Sequence, residues 1–428
     1  MSEDEILQAK KMLKKFKGDS YAFGSEALEK IGSYASRLGK NVVIVSGKHA
    51  RESGILDLVI RFVEEEQIEI SDIFDGARPN TPREDVYRLA YQLSITKNDG
   101  VIVVGGGSCI DAAKAALTLA TYGGLIDDYF GTGKISEKSG GNQLPLIAVQ
   151  TVSSSAAHLT KYANITDIIT QQKKLMVDDS IVPRASIFQY DVTKTMPPNL
   201  TKDGGLDGIS HCWEVWMSST GKSYYDTISK IAYLGIKLIM ENLATVVRDG
   251  NNLSARYALG LGTDLGGYSI MMGGTNAGHL GSFSLIDILS HGRACAILNP
   301  YYTVLFSPAI QDQLRRMSDI LRQTGYVEYN TQNLSGTNLG IAVAKGMIKF
   351  LQSIEFPTTL KAAGVTREHL KKMLIAAKDP QLKMKLQNMP IPMNVASGDI
   401  DKFMKPTIEA AYTGDMKLIP DLTEYVPD

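Results

Sequence analysis

The residues of this chain best suited to chemistry are histidines and acids between positions 207 and 291. Only six histidines occur in the 428 residues, and three of them, His211, His279 and His291, lie in this stretch. Asp207 and His211 are four residues apart in GLDGISHCWE, a spacing that puts two helical side chains on one face, one turn apart. Neutral imidazoles and one carboxylate suit Fe(II) or Zn(II), and the two later histidines complete a set of four ligands. Taken alone, the pair is explained more simply by a helix cap beside scattered histidines.

A second motif, GVIVVGGGSCIDAAKAALTLA, has the pattern of a phosphate site. The apolar residues 101–104 predict a buried parallel strand, and the alanine-rich segment from Ser108 predicts a helix. Gly105, Gly106 and Gly107 leave the backbone open to a phosphate group, and the helix N-terminus supplies free N–H groups and the positive end of the helix dipole. The motif is neither GxGxxG nor a P-loop, and a glycine triplet alone also fits an ordinary tight turn.

Together these segments resemble the iron-containing (group III) alcohol dehydrogenase superfamily. The run GGGSxxDxAK is characteristic of that superfamily, and it is matched here by Gly105, Gly106, Gly107, Ser108, Asp111 and Lys114. QLPLIAVQTVSSSAAHLTKYANITD resembles the superfamily's PTTAGTGSE segment, GLDGISHCWE its DAxxHxxE metal segment, VDDSIVPRASIFQYD its exit from the first domain and SHGRACAILNP its HGxxxAxxLP segment. These landmarks occur in the superfamily's order over nearly the whole chain.

The resemblance implies an N-terminal α/β nucleotide-binding domain with a parallel, Rossmann-like sheet, and an all-α C-terminal domain for the metal and the substrate. It implies that Asp207, His211, His279 and His291 are the metal ligands, with His211 and His279 in the catalytic group. The metal would act as a Lewis acid on the alcohol oxygen, while hydride passes between the substrate carbon and the nicotinamide. Glu214, close to His211, is either a carboxylate that orients an imidazole or a charge on the helix surface.

Two positions depart from the superfamily pattern. Many members have a His-x-x-x-His pair before the last ligand, whereas this chain has only His279, twelve residues before His291, and has Ala277 at the more usual separation of fourteen. His279 is therefore the candidate ligand, and the second histidine of the pair, a proton carrier, is missing. His158 stands where the superfamily has the glutamate of GTGSE, and it is either a group for proton transfer or a loop histidine bonded to the backbone.

The end of the first strand, in VIVSGKHARESG, bears on the choice of nucleotide. A carboxylate there would bind the adenosine ribose and repel a 2′-phosphate, but this chain has Gly47. Lys48, His49 and Arg51 supply positive charge, so NADP is favoured over NAD, although an exposed basic turn without a ligand has the same composition. The resemblance adds further cofactor contacts at Asn80, Asp111, Thr151, Ser153, Ser155 and Lys174.

Composition fits a two-domain enzyme of the cytoplasm. The length exceeds the usual size of one core, and a net charge of −1 argues against a nucleic-acid surface. No apolar stretch approaches a membrane span, and the amphipathic N-terminus lacks the apolar core of a signal peptide. Cys109, Cys212 and Cys295 have no Cys-x-x-Cys spacing and are interpreted as reduced packing residues. The family resemblance alone predicts a homo-oligomer.

Hydrophobic periodicity changes near residues 190–197, which gives predicted domains of 1–193 and 194–428. Strands are predicted at 41–46, 68–74, 101–104 and 144–150, with helices near 50–65, near 82–95 and from Ser108 onward. This alternation is typical of parallel βαβ units. After the boundary, apolar residues recur at helical spacing, as in TISKIAYLGIKLIMENLATVV, so the second domain is predicted to be all-helical.

Three functions compete at this stage. The first is a metal-dependent, NAD(P)-linked alcohol dehydrogenase or aldehyde reductase acting on a small alcohol, diol or hydroxy acid. The second is a lyase like dehydroquinate synthase, which shares the fold but uses glutamate at the position of Asp207 and needs a basic pocket for a phosphorylated substrate. The third is a nucleotide-binding relative without a metal, which the unusual region around His279 suggests.

Overall fold

The computed structural model describes residues 2–139, 143–328 and 331–425. The chain separates into two compact units, one formed by Leu13–Met196 and the other by Met1–Met12 together with Pro197–Asp428. The boundary therefore lies at Pro197 instead of residue 194, and the first twelve residues group with the helical unit instead of the sheet. An ion pair of 2.6 Å between Glu5 and Lys237 is one of the contacts that cause this grouping.

The unit Leu13–Met196 is built on a six-stranded parallel sheet. The strands of the unit are β1 (Tyr21–Phe23), β2 (Asn41–Ser46), β3 (Glu69–Asp75), β4 (Gly100–Gly105), β5 (Gly131–Thr132), β6 (Leu146–Gln150), β7 (Tyr162–Asp167), β8 (Gln172–Val177) and β9 (Ala185–Phe188). The main sheet has the order β1-β9-β6-β4-β2-β3, and β5, β8 and β7 form a small second sheet in which β7 and β8 are antiparallel. β4 thus lies inside the main sheet, where both of its faces are covered.

Helices cover both faces of this sheet. The helices up to residue 139 are α1 (Glu3–Lys17), of which residues 3–12 belong to the other unit, α2 (Ile31–Ala35), α3 (Lys48–Glu52), α4 (Ile55–Glu65), α5 (Arg83–Ile95), α6 (Gly107–Tyr122) and α7 (Lys134–Ser139). Val101 and Val103 of β4 pack with α5 and α6, whereas Ile102 and Val104 pack with α2 and α4 on the opposite face. Burial on both faces explains why β4 is a continuous apolar run and not an alternating one.

The second unit is helical. Its helices are α8 (Pro198–Met217), α9 (Tyr225–Arg248), α10 (Leu253–Met272), α11 (Ala277–Ser282), α12 (His291–Leu305), α13 (Gln311–Gln323), α14 (Gly336–Ser353), α15 (Arg367–Ala376), α16 (Lys383–Gln387) and α17 (Lys405–Thr413), with a π-helical turn at Ile400–Met404. α8 is buried on nearly every side because α9, α10 and α12 surround it. Within the described residues of this unit no strand occurs, so the predicted fold class is confirmed.

The sequence missed some elements and merged others. The helix predicted near 50–65 is in fact two helices, α3 and α4, separated at Gly54, whose φ of +78° does not fit a continuous helix. Strands β1 and β9 and the hairpin of β7 and β8 were not predicted. Among the described residues, no helix combines the length and apolar character needed to cross a membrane.

Candidate metal centre and nucleotide site

Three histidine side chains of the helical unit converge around one carboxylate oxygen, Oδ1 of Asp207. The Nε2 atoms of His211, His279 and His291 lie 3.7, 3.8 and 3.9 Å from Oδ1 of Asp207. Asp207 and His211 lie one turn apart on α8, α11 supplies His279, and α12 begins at His291. The structure thus brings together all four residues predicted as metal ligands, and of these only His291 is more than marginally exposed.

Two glycines let the histidine-bearing helices come close to α8. A Cβ atom on Gly292 would lie 2.2 Å from the backbone oxygen of Asp203, so the start of α12 rests directly against α8. A Cβ atom on Gly278 would lie 2.5 Å from Oε1 of Glu214, so α11 packs directly against the Glu214 side chain of α8. Glycine at both positions removes side chains that would separate these helices from Asp207.

Glu214 is a fully buried carboxylate beside the four groups. Its Oε2 accepts the backbone N–H of Asn276 at 2.7 Å. Burial raises the pKa of Glu214, while the Asn276 N–H and the charge of Lys385 lower it. Lys385, in α16, is itself buried and bonds to the Thr275 hydroxyl, and desolvation lowers its pKa to about 8. The buried cation and the N–H donors around the carboxylate offset part of this rise in the pKa of Glu214.

Hydrogen bonds fix the tautomers of two imidazole rings. Nδ1 of His279 donates to Oε1 of Glu214 at 2.8 Å, which leaves the lone pair of this ring on Nε2. The Ser282 hydroxyl donates to the backbone oxygen of His279 at 2.7 Å, so its oxygen accepts from Nδ1 of His291 at 2.8 Å. Both rings therefore present the Nε2 lone pair on the side of Asp207. Such bonds to metal-binding histidines set ring orientation and raise the basicity of the ligand atom.

The four donor groups suit a borderline divalent ion such as Zn(II) or Fe(II). Donor atoms about 2.1 Å from a tetrahedral Zn(II) or Fe(II) ion lie about 3.4 Å from one another, slightly less than the separations from Asp207 here. Burial lowers the pKa of His211 to about 4, so its ring is neutral and able to bind a metal at physiological pH. One carboxylate with three neutral imidazoles fits either ion.

A second grouping of ligand atoms shares three of these residues. Among the described residues, the ligand atoms of Asp207, His279, His291 and Cys295 all lie within 4.8 Å of one another. His211 is outside this grouping, although its Nε2 is the nearest of the three nitrogens to Asp207. The interpretation of Cys295 as a packing residue is therefore incomplete, because its thiol lies at the metal centre.

The glycine motif forms a strand end, a turn and the N-terminus of a long helix. β4 ends at Gly105, Gly106 precedes α6, and α6 begins at Gly107 and runs for 16 residues. The N–H groups of its first turn and the helix dipole make this end an anion site. A Cβ atom on Gly107 would lie 2.6 Å from the Ser155 hydroxyl. Glycine therefore lets the serine-rich loop, residues 151–156 after β6, approach the helix end.

A strained turn meets the same helix end. Asn80 and Thr81 have left-handed backbone angles, with φ of +65° and +53°, which a β-branched threonine rarely adopts. The Asn80 N–H donates to Oγ of Ser108 at 3.0 Å, and the Thr81 hydroxyl donates to the Ser108 backbone oxygen at 3.1 Å. The Thr166 hydroxyl donates to the backbone oxygen of Asn80 at 2.5 Å, so β7 holds the turn in place. Strain of this kind concentrates at ligand sites.

The serine-rich loop after β6 offers polar groups next to the glycines. The Thr151 N–H donates to the backbone oxygen of Gly105 at 3.1 Å. Ser153 is fully buried, and within the described part of the chain no hydrogen-bond partner is found for its hydroxyl. Because Ser153 has no exposed surface, its contact with the cofactor stays a prediction. The N-terminus of α6 and the glycines at its start fit the pyrophosphate of a dinucleotide.

Two residues predicted to contact the cofactor form bonds within the protein. Asp111, one turn inside α6, is buried, and its carboxylate accepts the N–H of Asn164 in β7 at 3.0 Å. Burial raises the pKa of Asp111. Nζ of Lys174 binds Asp127 at 3.0 Å and lies over the ring of Phe130. In this structure Asp111 and Lys174 therefore hold β7 and β8 in place, and a contact of either residue with the cofactor stays a prediction.

The lysine of the same motif has a similar structural role. Lys114 is fully buried, and its Nζ donates to the backbone oxygens of Ala157, Thr160 and Tyr162 at 2.7, 2.7 and 2.9 Å. It thereby ties α6 to the loop that follows the serine-rich segment. The motif GGGSxxDxAK thus combines a phosphate site with the groups that shape its surroundings.

The strand end predicted to select NADP is open. At Gly47 a Cβ atom would meet nothing closer than 3.6 Å. Lys48 is 86% exposed and lies 3.6 Å from Glu52, and Arg51 pairs with Asp75 at 3.1 Å. Exposed ion pairs of this kind contribute little, so both cations are available to a phosphate.

His158 lies in a cluster of aromatic rings. It is fully buried, its Nε2 is 3.1 Å from the Tyr21 hydroxyl, and its ring meets the Phe188 ring edge to face. The Ser186 hydroxyl donates to its backbone oxygen. These are contacts of a structural histidine near β1 and β9, and proton transfer by His158 stays a prediction.

The fold and the donor groups define a metal-dependent, nucleotide-linked enzyme with a parallel-sheet unit and a helical unit. The family model for iron-containing alcohol dehydrogenase matches residues 19–190, and the model for the C-terminal part of the Fe-containing alcohol dehydrogenase family matches residues 201–397. Alcohol dehydrogenase 4 of Saccharomyces cerevisiae is 30% identical over 282 residues, which cover 65% of this chain and 72% of the yeast protein. The chain belongs to the iron-containing alcohol dehydrogenase family.

Further relatives agree with this assignment. Long-chain-alcohol dehydrogenase 1 of Geobacillus thermodenitrificans is 26% identical over 397 residues, covering 91% of this chain and 94% of the relative. The solved structure of alcohol dehydrogenase from Oenococcus oeni matches with a TM-score of 0.78 at 25% identity, covering 92% of this chain and 98% of that one. The matches confirm the predicted family and fold, and they favour neither the dehydroquinate synthase-like lyase nor the metal-free relative.

Proposed function

We propose that this protein is a metal-dependent, NADP-linked dehydrogenase that interconverts small primary alcohols or diols with the corresponding aldehydes. The observation that supports this most is the convergence of three imidazole Nε2 atoms around Asp207. A divalent ion, Fe(II) or Zn(II), would supply a Lewis acid for the alcohol oxygen, and the nicotinamide would supply the hydride acceptor.

The chain's own residues would orient these groups. Asp207 and the three histidines would hold the ion. His279 would keep its ligand tautomer because Glu214 accepts a hydrogen bond from the Nδ1–H group. Burial of the carboxylate and imidazoles would exclude water and strengthen their electrostatic interactions. The N-terminus of α6 and its glycines would bind the pyrophosphate, as helix N-termini do for anions.

Nucleotide and substrate are the finer parts of the proposal. Gly47, with Lys48 and Arg51 close by in sequence, favours NADP because no carboxylate occupies the position that would repel the 2′-phosphate. Relatives named methanol, butanol and 1,3-propanediol dehydrogenase support a small alcohol or diol as the substrate. A homo-oligomeric and cytoplasmic enzyme remains our expectation from the family.

The proposal is tested with purified protein loaded with Fe(II) or Zn(II). We expect metal-dependent reduction of NADP by primary alcohols and diols of varied chain length, with NADP preferred to NAD. Gly47→Asp should lower the NADPH-to-NADH ratio of kcat/KM by about tenfold because its carboxylate repels the 2′-phosphate. Gly47→Ala, for which the structure has room, should leave the ratio unchanged.

Two outcomes would contradict parts of this proposal. A wild-type enzyme that prefers NADH would show that Gly47, Lys48 and Arg51 do not select NADP. Failure to oxidise any alcohol, with metal and nucleotide both shown to be bound, would refute the dehydrogenase function itself.

A further inference from the structure

Two helices of the metal centre carry the same spacing of ligand-type residues. α8 has Asp207 and His211 four residues apart, and α12 has His291 and Cys295 four residues apart. In each helix this spacing puts the two side chains on one face, one turn apart. With His279 from α11, the centre contains five ligand-type side chains, one more than a tetrahedral ion binds.

The Cys295 thiol lies inside this centre. Its Sγ and the ligand atoms of Asp207, His279 and His291 all lie within 4.8 Å of one another. Cys295 is fully buried, and the hydroxyl of Ser282, which contacts Nδ1 of His291, is also within hydrogen-bonding range of the thiol. The thiol is therefore fixed on the same side of α12 as the His291 imidazole.

His211 is the least constrained of the nitrogen donors. Hydrogen bonds from Nδ1 orient His279 and His291. For Nδ1 of His211, no hydrogen-bond partner is found among the residues that the structure describes. Its ring stacks on that of His279, with centroids 4.8 Å apart. A fourth donor position with one loosely held nitrogen and one nearby sulfur allows two ligand sets.

We propose that Cys295 is a sulfur ligand that gives this centre selectivity for thiophilic divalent ions. Ions that prefer nitrogen and oxygen, such as Mn(II), are held by Asp207 and the three histidines. Cd(II) binds through Cys295 in place of His211, which keeps the number of ligands at four, because thiolate ligands select such ions. The thiol proton leaves to solvent as the metal–sulfur bond forms. The inference rests on the proposed metal centre and adds to it a donor that Mn(II) does not need.

Cadmium binding to the metal-free protein tests the inference. Metal is removed with a chelator, and Cd(II) is titrated while the ultraviolet charge-transfer band of a cadmium–thiolate bond is recorded. We expect one such bond per ion in the wild type and in Cys212→Ser, a matched control because Cys212 is also a buried free thiol of the helical unit. We expect none in Cys295→Ser.

Affinity gives a second readout. Cys295→Ser should weaken Cd(II) binding by about tenfold or more and change Mn(II) binding by less than about threefold, since only the softer ion uses sulfur. Cadmium NMR of the wild type, in which sulfur ligation shifts the resonance strongly, needs no variant and decides the matter should Cys295→Ser fail to fold.

The outcomes separate this inference from the metal centre on which it rests. A thiolate band that persists in Cys295→Ser, or a wild-type cadmium resonance typical of nitrogen and oxygen ligands, would overturn the role of Cys295 while the centre itself stands. A wild-type protein that binds neither Cd(II) nor Mn(II) would overturn the metal centre.

Discussion

Glu214 is a residue outside the proposed ligand set that orients one of the proposed ligands. Its carboxylate accepts a hydrogen bond from Nδ1 of His279 at 2.8 Å and another from the backbone N–H of Asn276. Glu214→Gln removes the charge and directs an amide N–H at donors, so the ring of His279 loses its orientation. We expect metal affinity to fall by about ten- to a hundredfold, measured by competition with a chromophoric chelator.

Glu368→Gln provides the control for this prediction. Glu368 is a 68% exposed carboxylate of α15, and its replacement should leave the metal affinity unchanged. If Glu214→Gln also binds metal as tightly as the wild type, ring packing alone orients His279 and the hydrogen bond is unnecessary.

The residues of the proposed metal centre could be predicted from the sequence, but most of the groups around them could not. Asp207 and His211 share a helical spacing, and His291 lies in a segment that resembles the family's. Lys385 lies far along the chain in a short helix, and no local spacing links it to Glu214. Cys295 had the informative spacing from His291, yet buried thiols are so often packing residues that its position was not interpreted as a ligand.

At the scale of elements, the end of β4 and the start of α6 form the proposed nucleotide site. The φ of Gly106 is −84°, which any residue adopts, and a Cβ atom there would lie 3.1 Å from a methyl group of Val152. Gly106→Val should fold once the Val152 side chain shifts by a few tenths of an ångström, while the branched side chain takes up space next to the helix end. We expect nucleotide affinity, measured by calorimetry, to fall by at least about tenfold, or about 1.4 kcal/mol.

Gly47→Ala is the companion variant for this test. A Cβ atom at Gly47 makes only ordinary contacts, so nucleotide affinity should change little. If Gly106→Val binds the nucleotide as tightly as the wild type does, the pyrophosphate does not bind at the N-terminus of α6.

Lys114 joins α6 to the loop 157–162 and should matter for stability. In Lys114→Met three backbone oxygens lose their donor in a buried place. We expect the free energy of unfolding to fall by about 3 kcal/mol, measured by urea denaturation of the first unit's transition. Lys161→Met, which removes a pair of 3.6 Å with the exposed Asp179, should change it by less than about 1 kcal/mol. A loss in Lys114→Met no greater than that of the control would show that the loop does not depend on this lysine.

Elements with a sustained period were predicted well, and short ones were not. β2, β3, β4 and β6 and the long helices α9 and α10 lie where apolar patterns predicted them. β1 and β9 have only three and four residues, too few to show a period, although β9 lies inside the sheet between β1 and β6. The break at Gly54 follows the polar residues Arg51, Glu52 and Ser53, a turn signal that the helix predicted near 50–65 did not take into account.

Over the whole molecule, the two sites draw their residues from different compact units. The proposed metal ligands belong to Pro197–Asp428, and the glycines, Asn80 and the serine-rich loop belong to Leu13–Met196. No residue is assigned to both sites, so removal of one ligand should leave the residues that bind the other in place. The activity needs both ligands, but each site should form without the other.

This division predicts the behaviour of a metal-free variant. His279→Ala removes a ligand and the bond to Glu214, so it should lose bound metal after dialysis, measured by elemental analysis, and with it nearly all alcohol oxidation. Its NADPH affinity, measured by fluorescence, should stay within about threefold of the wild type because the variant leaves the α6 site untouched. Reciprocally, Gly106→Val should keep its full metal content. Full metal content in His279→Ala would show that His279 is not a ligand. A tenfold or greater loss of NADPH affinity would show that the metal centre contributes to nucleotide binding and that the two sites are energetically coupled.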